Sequence, residues 1–421
     1  MTEPDSTTCA VVGGGPAGIV LGLLLARAGV EVTVFEKHAD FFRDFRGDTV
    51  HPVTLTLLDD LGLYPKFAAM PHSEVKSFDI KVGGRTIVLS DFSRLREPHP
   101  VLALVPQWDL LNLLAEAAKA EPTFTLRMQT EVTGLLREGD RVTGVRYQGP
   151  DGPGELRAEL TVACDGRTST VRSEAGMVPQ EIPVPFDVAW FRLDATSAIK
   201  YELGPRISDK LLLVLIPREG YFQTGAFLPK GSEAQLHARG LDAFRAQVAA
   251  IVPEAAADSV KTWDDVRILD AKVNRLRRWY KPGLLCIGDA AHAMSPVGGV
   301  GVNLAIADAV AAAGILAEPL KRHRVTDADL AAVQRRRRLP AVLTQNAQRV
   351  MHRGFARVLS GKPLPKIPAV VGRGAAALWS LFPAASGIQA HLVGVGIRPE
   401  RAPQFARRPP QPVDENPSQP A

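Results

Sequence analysis

Residues 8–37 read TCAVVGGGPAGIVLGLLLARAGVEVTVFEK. Cys9 to Val12 is a short apolar run of strand character that passes without a gap into Gly13, Gly14, Gly15, Pro16, Ala17 and Gly18, a G-x-G-x-x-G. The helix that follows carries Ile19, Val20, Leu23, Leu24 and Ala28 at helical spacing and stops at Gly29. Glu31 to Phe35 then alternates as a second strand that ends at Glu36 and Lys37. Gly13 makes the tight turn, Gly15 lets backbone approach a pyrophosphate, and Gly18 lets helix and strand lie close. Pro16 and Ala17 open the helix, whose N-terminus offers N–H groups and positive dipole to phosphates. Glu36 stands where ribose hydroxyls are accepted and disfavours a 2′-phosphate. The unit therefore predicts a Rossmann-like domain holding FAD or NAD rather than NADP.

Bulk properties narrow the class without naming a reaction. With 421 residues, 46% hydrophobic and 23% charged, the composition is that of an ordinary globular protein of two or three domains. The formal charge of +5 is spread along the chain except at Arg335 to Arg338, which reads as a solvated helix face rather than a nucleic-acid patch. No basic n-region with an apolar h-region opens the sequence, and no uninterrupted apolar stretch reaches membrane-spanning length. The expectation is a cytoplasmic protein with no membrane span, monomeric or homodimeric. Cys9, Cys164 and Cys286 each lie in an apolar strand-like run before a glycine motif, as buried small hydrophobes rather than metal ligands or a disulfide.

Two further motifs place an aspartate where an apolar strand ends, the edge on which ligands bind in an open α/β sheet. Leu160 to Ala163 leads into Cys164, Asp165, Gly166 and Arg167, with Ser169, Val171 and Arg172 beyond. Leu284 to Ile287 leads into Gly288, Asp289, Ala290, Ala291 and His292. In this order and at these separations the three motifs resemble the flavoprotein hydroxylases of the para-hydroxybenzoate hydroxylase type, the FAD-dependent aromatic monooxygenases, over about residues 8 to 350.

The resemblance implies that Gly13, Gly15, Gly18 and Glu36 bind the ADP half of FAD. It implies that Asp289 holds a ribityl hydroxyl, and that Asp165 and Gly166 sit near the pyrophosphate and shape the nicotinamide approach. Arg46 looks like the family arginine beside the flavin, Gln107 like its ribityl contact, and Val132 like the residue whose backbone meets adenine. Pro296, Val297, Gly298, Gly299, Val300 and Gly301 form a loop poor in side chains, ahead of an apolar helix from Val302 to Leu316. Such a loop lets backbone lie against a flat ring, and the helix N-terminus stabilises negative charge on a reduced flavin. In the family the Val302 and Asn303 amides meet the pyrimidine edge, while the position of His292 is structural.

The expected architecture is mixed α/β (α+β). It comprises a discontinuous FAD-binding domain of the glutathione-reductase type, residues 1–75, 100–180 and 277–355, and an antiparallel β-sheet substrate domain, 76–99 and 181–276. A hairpin at Lys76 to Phe92 turns at Gly83-Gly84, and a three-stranded meander runs from Phe124 to Val162. One helix from Glu233 to Ala250 interrupts the substrate-domain strands. A long helix from Asp327 to Val358 is interrupted at Pro340, residues 356–400 are a C-terminal helical segment, and 401–421, rich in proline without apolar period, is a disordered tail.

No second glycine-rich βαβ unit follows Asp165, so NAD(P)H is expected as a transient co-substrate. The resemblance implies reduction of non-covalent FAD, addition of dioxygen, and hydroxylation of an electron-rich aromatic or polyketide-like ring by the flavin hydroperoxide. The hard chemistry belongs to the cofactor; the protein orients the ring and excludes water. Candidates for polar work in the cleft are His51, Arg192, Tyr221 and Gln223, with Trp190, Phe191 and Phe222 as apolar walls, of which only alternate members on a strand point inward. An FAD-dependent dehydrogenase or reductase of the same architecture, such as one acting on prenyl double bonds, shares every motif, and a non-catalytic flavin-binding protein is the third class.

Overall fold

The computed structural model describes residues 5–42, 49–82, 85–195, 204–207, 211–218, 220–252, 255–360 and 383–412. Its main sheet has eight strands. Ser6–Val12 lies at its centre, with Val32–Phe35 parallel on one side and Gly152–Ala163 parallel on the other. Phe124–Arg127 and Leu284–Cys286 extend the parallel array outward on the two sides. Glu131–Glu138 and Arg141–Gly149 join antiparallel to complete a meander with Gly152–Ala163. The central strands are buried on both faces and read as continuous apolar runs for that reason. Because the order reverses at Ser6–Val12, the loop that leaves this strand opens at the carboxyl edge of the sheet, the crevice that doubly wound folds use for ligands.

A second, six-stranded sheet is antiparallel and carries Leu212–Arg218, Tyr221–Pro229 and Phe186–Ala195 at its centre. One face is backed by helices, where Phe191, Phe222, Phe244 and Val248 form a core. The expected single helix is two, Glu233–Arg239 and Leu241–Ile251, because Gly240 adopts φ 86°, outside the helical range.

The helix Pro16–Arg27 is buried around nearly all its circumference, between the sheet and the helices Gln107–Lys119 and Gly301–Lys321. The Gly301–Lys321 helix is long and apolar enough to cross a membrane, with mean hydropathy 1.5, but here most of it is buried inside the protein. The long helix Asp327–Leu359 runs through Pro340 without a break. Proline deletes one helical hydrogen bond, yet Leu330, Val333, Arg337, Pro340, Ala341, Gln345, Gln348 and His352 repeat at helical spacing on one buried face, and that packing holds the helix together. The expected solvated arginine face is corrected at Arg337, which is 1% exposed, while Arg335 and Arg338 are exposed.

The expected disordered tail is also corrected over residues 401–412. Arg27 donates to the carbonyl of Ala406 (2.8 Å), the Arg408 and Gln411 amides donate to Asp60 and Gly62, and Arg407 pairs with Asp60. Glu400, just before it, is buried and bonded to Arg336 and Arg337. Proline-rich chain without periodicity is thus held by ion pairs and backbone bonds rather than by a core of its own. The turn at Gly83-Gly84 and residues 413–421 lie outside the described residues, as does 361–382 of the expected C-terminal helical segment, which contains the helix Pro383–Gly394.

Candidate active site

The glycine turn is built by close backbone contact. Gly13 has φ 104°, and a Cβ there would stand 2.6 Å from the Cys164 carbonyl oxygen and 2.9 Å from the Asp165 Cα, so the turn and the Asp165 motif touch. A Cβ on Gly18 would stand 1.9 Å from the Gly13 carbonyl oxygen. Gly15, the N-cap of the first helix, differs: apart from its chain neighbours, nothing among the described residues lies within 4 Å of the position a Cβ would take. Pro16 is N1, and Ala17 packs near Gly288. Glu36 ends the second strand, is buried, and accepts the Gly14 amide (3.1 Å) and the His38 amide (3.0 Å), which fixes its carboxylate at the turn. Lys37 is exposed, Val132 is buried beside Tyr147 in the meander, and Gln107 is the first residue of its helix. Arg46 lies outside the described residues.

The two aspartate motifs meet across this turn. Asp165 accepts the Val171 amide through Oδ2 (3.1 Å), while its Oδ1 is buried with no partner among the described residues. Burial raises its pKa, and hydrogen bonds from Ser169 and Val171 offset part of that rise. Arg167, one residue past Gly166, pairs with Asp289 at 3.2 Å. Arg172 is buried and donates to the carbonyls of Ala290 (3.0 Å) and Arg167 (2.6 Å), fastening the two loops together.

Beyond Gly288 and Asp289, the chain reaches the loop of Pro296, Gly298, Gly299 and Gly301. The helix Gly301–Lys321 starts there, and the N–H groups of Gly301, Val302 and Asn303 have no carbonyl one turn behind them. The Asn303 side chain is a clip: Oδ1 accepts the His51 amide (3.0 Å) and the Thr54 hydroxyl (2.7 Å), and Nδ2 donates to the Thr49 carbonyl (3.1 Å). His51 is 1% exposed and its Nδ1–H donates to the Val393 carbonyl (2.7 Å), tying this loop to the Pro383–Gly394 helix. Burial pushes the His51 pKa down to about 4, against a smaller upward pull from the carbonyls of Val393 and Gly299.

Between the ordinary histidine value of 6.5 and about 4, the unfolded chain binds a proton that the folded chain refuses. Stability should therefore fall as pH falls through that window, by up to roughly 3 kcal/mol from this residue. Chemical unfolding at pH 7, 5.5 and 4.5 should show a shallower pH slope for His51→Gln than for the wild type. Equal slopes would refute the assignment.

Beneath the loops lies a buried network that the sequence did not disclose. Asp308, fully buried, accepts the Gly288 amide (3.1 Å), His292 Nε2 (2.6 Å) and Arg337 Nε (3.0 Å). Gln345 donates to the carbonyls of Asn274 and Ala293, and Gln348 to those of Ser295 and Val297. The long helix thus grips the chain between His292 and the glycine-rich loop. A polar stripe at helical spacing on the buried face was the only available signal.

The second sheet turns its other face to this loop. Val297 packs in one cluster with Phe186, Val188, Leu212 and Phe227, and Trp190 and Val214 border it. Trp190 lies over Gly225, where a Cβ would stand 3.0 Å from its ring. Gln223 shares this face, buried, and accepts from Arg218 (3.2 Å), itself buried. Arg192 is largely exposed at the sheet's end, paired with Asp194 and stacked 4.2 Å over Tyr221. Strand parity assigns Phe191 and Phe222 to the opposite face, so of the three expected walls only Trp190 faces the loop.

The site has room for a pyrophosphate at Gly15, an orphaned buried acceptor at Asp165, and a glycine-rich loop ending at a helix N-terminus. These features fit a flavin dinucleotide. The family profile described as FAD binding domain matches residues 6–347. The 6-methylpretetramide 4-monooxygenase of Streptomyces rimosus is 37% identical over 382 residues, covering 90% of both chains. Among solved structures, the anhydrotetracycline hydroxylase of Streptomyces rimosus has a TM-score of 0.71 at 21% identity, covering 94% of this chain and 77% of that one. The p-nitrophenol 4-monooxygenase of Pseudomonas putida DLL-E4 has a TM-score of 0.73 at 21% identity, covering 92% and 97%.

Proposed function

This chain belongs to the FAD-dependent aromatic monooxygenases of the para-hydroxybenzoate hydroxylase-like family, and from that premise we propose that it hydroxylates an aromatic, polyketide-like small molecule with NAD(P)H and dioxygen. The observation that carries the reading is the contact of the antiparallel sheet, through Phe186, Val188, Leu212 and Phe227, with Val297 of the glycine-rich loop. A substrate ring held on that face beside Trp190 would lie next to the loop proposed to hold the flavin ring. The substrate class rests on the relative named a 6-methylpretetramide 4-monooxygenase, which matches along nearly the whole chain.

FAD, when bound, supplies the redox chemistry, accepting hydride and activating dioxygen. In this reading Gly13, Gly15, Gly18, Pro16 and Ala17 receive the pyrophosphate, Glu36 and Lys37 the adenosine ribose, and Val132 the adenine. Asp289, Gly288 and Gln107 hold the ribityl chain, with Asp165 and Gly166 near the pyrophosphate. The amides of Val302 and Asn303 and the backbone of Pro296, Gly298, Gly299 and Gly301 face the ring, with Arg46 as its side-chain neighbour. Gln223 is a proposed polar contact to substrate; His51, buried under the loop, positions it. Residues 1–75, 100–180 and 277–355 form the cofactor domain and 76–99 and 181–276 the substrate domain of a cytoplasmic monomer or homodimer.

NAD(P)H oxidation by purified protein should be slow alone and accelerate when a polycyclic phenol of the polyketide type is added, because seating the substrate before reduction avoids waste of reductant. Heavy dioxygen should deliver label to the product. Label from heavy water, or a stimulated reaction that consumes no dioxygen, would transfer the assignment to a dehydrogenase or reductase of the same fold.

A further inference from the structure

The cofactor cradle has an unusual charge balance. Glu36, Asp165 and Asp289 all stand at its rim, and a dinucleotide brings a doubly negative pyrophosphate to the same place. The first helix offers only about half a positive charge at its N-terminus. Arg172 is committed to the carbonyls of Ala290 and Arg167. Arg167 is different. Its Nε is held by Asp289 at 3.2 Å, its side chain is 29% exposed, and among the described residues its two Nη groups bond no protein atom. Its backbone is fixed two residues from Asp165, which touches the Gly13 turn, and Asp289 follows Gly288, which packs near Ala17. The guanidinium therefore bridges the two motifs that flank the phosphate turn, with donors to spare.

We propose that Arg167 is the side-chain counter-charge for the FAD pyrophosphate, a positioning residue aimed by its ion pair with Asp289. This rests on the FAD-binding reading above. Guanidinium suits the task because its planar donors can hold a carboxylate on one edge and phosphate oxygens on the other.

The test is titration of apoprotein with FAD, with ADP and riboflavin as competing ligands, in the wild type and in Arg167→Gln and Arg167→Lys. Arg167→Gln should weaken FAD and ADP roughly 10- to 100-fold, the range of one charge-assisted contact, and leave riboflavin unchanged. The loss should shrink as salt is raised, since part of it is screened. Arg167→Lys, which keeps the charge but not the planar fork, should recover only part of it, and the thermal unfolding of all three apoproteins should coincide. Wild-type FAD affinity in Arg167→Gln, or an equal loss for riboflavin and FAD, would overturn the proposal. Failure of the wild-type protein to bind FAD at all would instead overturn the cofactor reading, and this inference with it.

Discussion

Gly15→Val is expected to give soluble, folded, colourless protein, whereas Gly18→Ala is expected to fail at folding. The two glycines stand three residues apart in one motif, and the geometry separates their roles. At Gly15 no atom of the described residues outside the immediate chain lies within 4 Å of a new Cβ, so an isopropyl group is tolerated by the fold and occupies the space proposed for the pyrophosphate. Overlap with a phosphate that has nowhere to move should cost at least the roughly 1–3 kcal/mol of an overpacked core, hence about one to two decades or more in FAD affinity. At Gly18 even a methyl group would stand 1.9 Å from the Gly13 carbonyl oxygen, a backbone atom fixed between two strands. Helix and strand must separate, and the central element of the sheet goes with them. Far-ultraviolet circular dichroism with thermal unfolding, and the flavin absorbance of protein refolded with FAD, distinguish the two results. Loss of folding in Gly15→Val, or a normal melting profile in Gly18→Ala, would contradict this division.

The parts of the fold legible in the sequence were those set by short-range rules. A strand, a glycine turn, an apolar helix and an acid are contiguous, and the Asp165 and Asp289 motifs each announce a strand end locally. What escaped was decided at a distance. Phe191 and Phe222 face helices rather than the glycine-rich loop because both sides of Phe186–Ala195 are buried, so apolar alternation carries no parity signal. The tail over 401–412 is ordered by partners such as Arg27, Asp60 and Gly62, hundreds of residues earlier. Gln345 and Gln348 lie some fifty residues or more from the carbonyls they meet, and their amides satisfy backbone groups that the loop cannot satisfy itself. The site's outline was local, and its supports were not.

A second large effect on stability is expected at one of those supports. Asp308→Ala should destabilise the protein by about 3–5 kcal/mol, the range for removing one partner from a buried ion pair. The carboxylate is fully buried and meets His292 at 2.6 Å, Arg337 at 3.0 Å and the Gly288 amide at 3.1 Å. Burial alone would raise its pKa, but the His292 and Arg337 partners outweigh it and hold it below the usual carboxylate value. A carboxylate depressed in the folded state contributes stability above its unfolded pKa and loses it as pH falls through the folded one, so Asp308 adds to acid sensitivity. Without it, Arg337 keeps, among the described residues, only Glu400 and the Arg398 carbonyl, and His292 and the Gly288 amide lose a buried acceptor. Asp308→Asn retains an acceptor without the charge and should fall between wild type and alanine. Because Gly288 precedes Asp289, FAD affinity should weaken in parallel with stability, although Asp308 lies beneath the cradle and meets it through the Gly288 amide. Denaturant unfolding of the two variants and the wild type at pH 7 measures the first effect, and FAD titration the second. A loss under 1 kcal/mol in the alanine variant would mean that neighbouring groups or water replace the carboxylate, and that the network does not hold the aspartate loop in place.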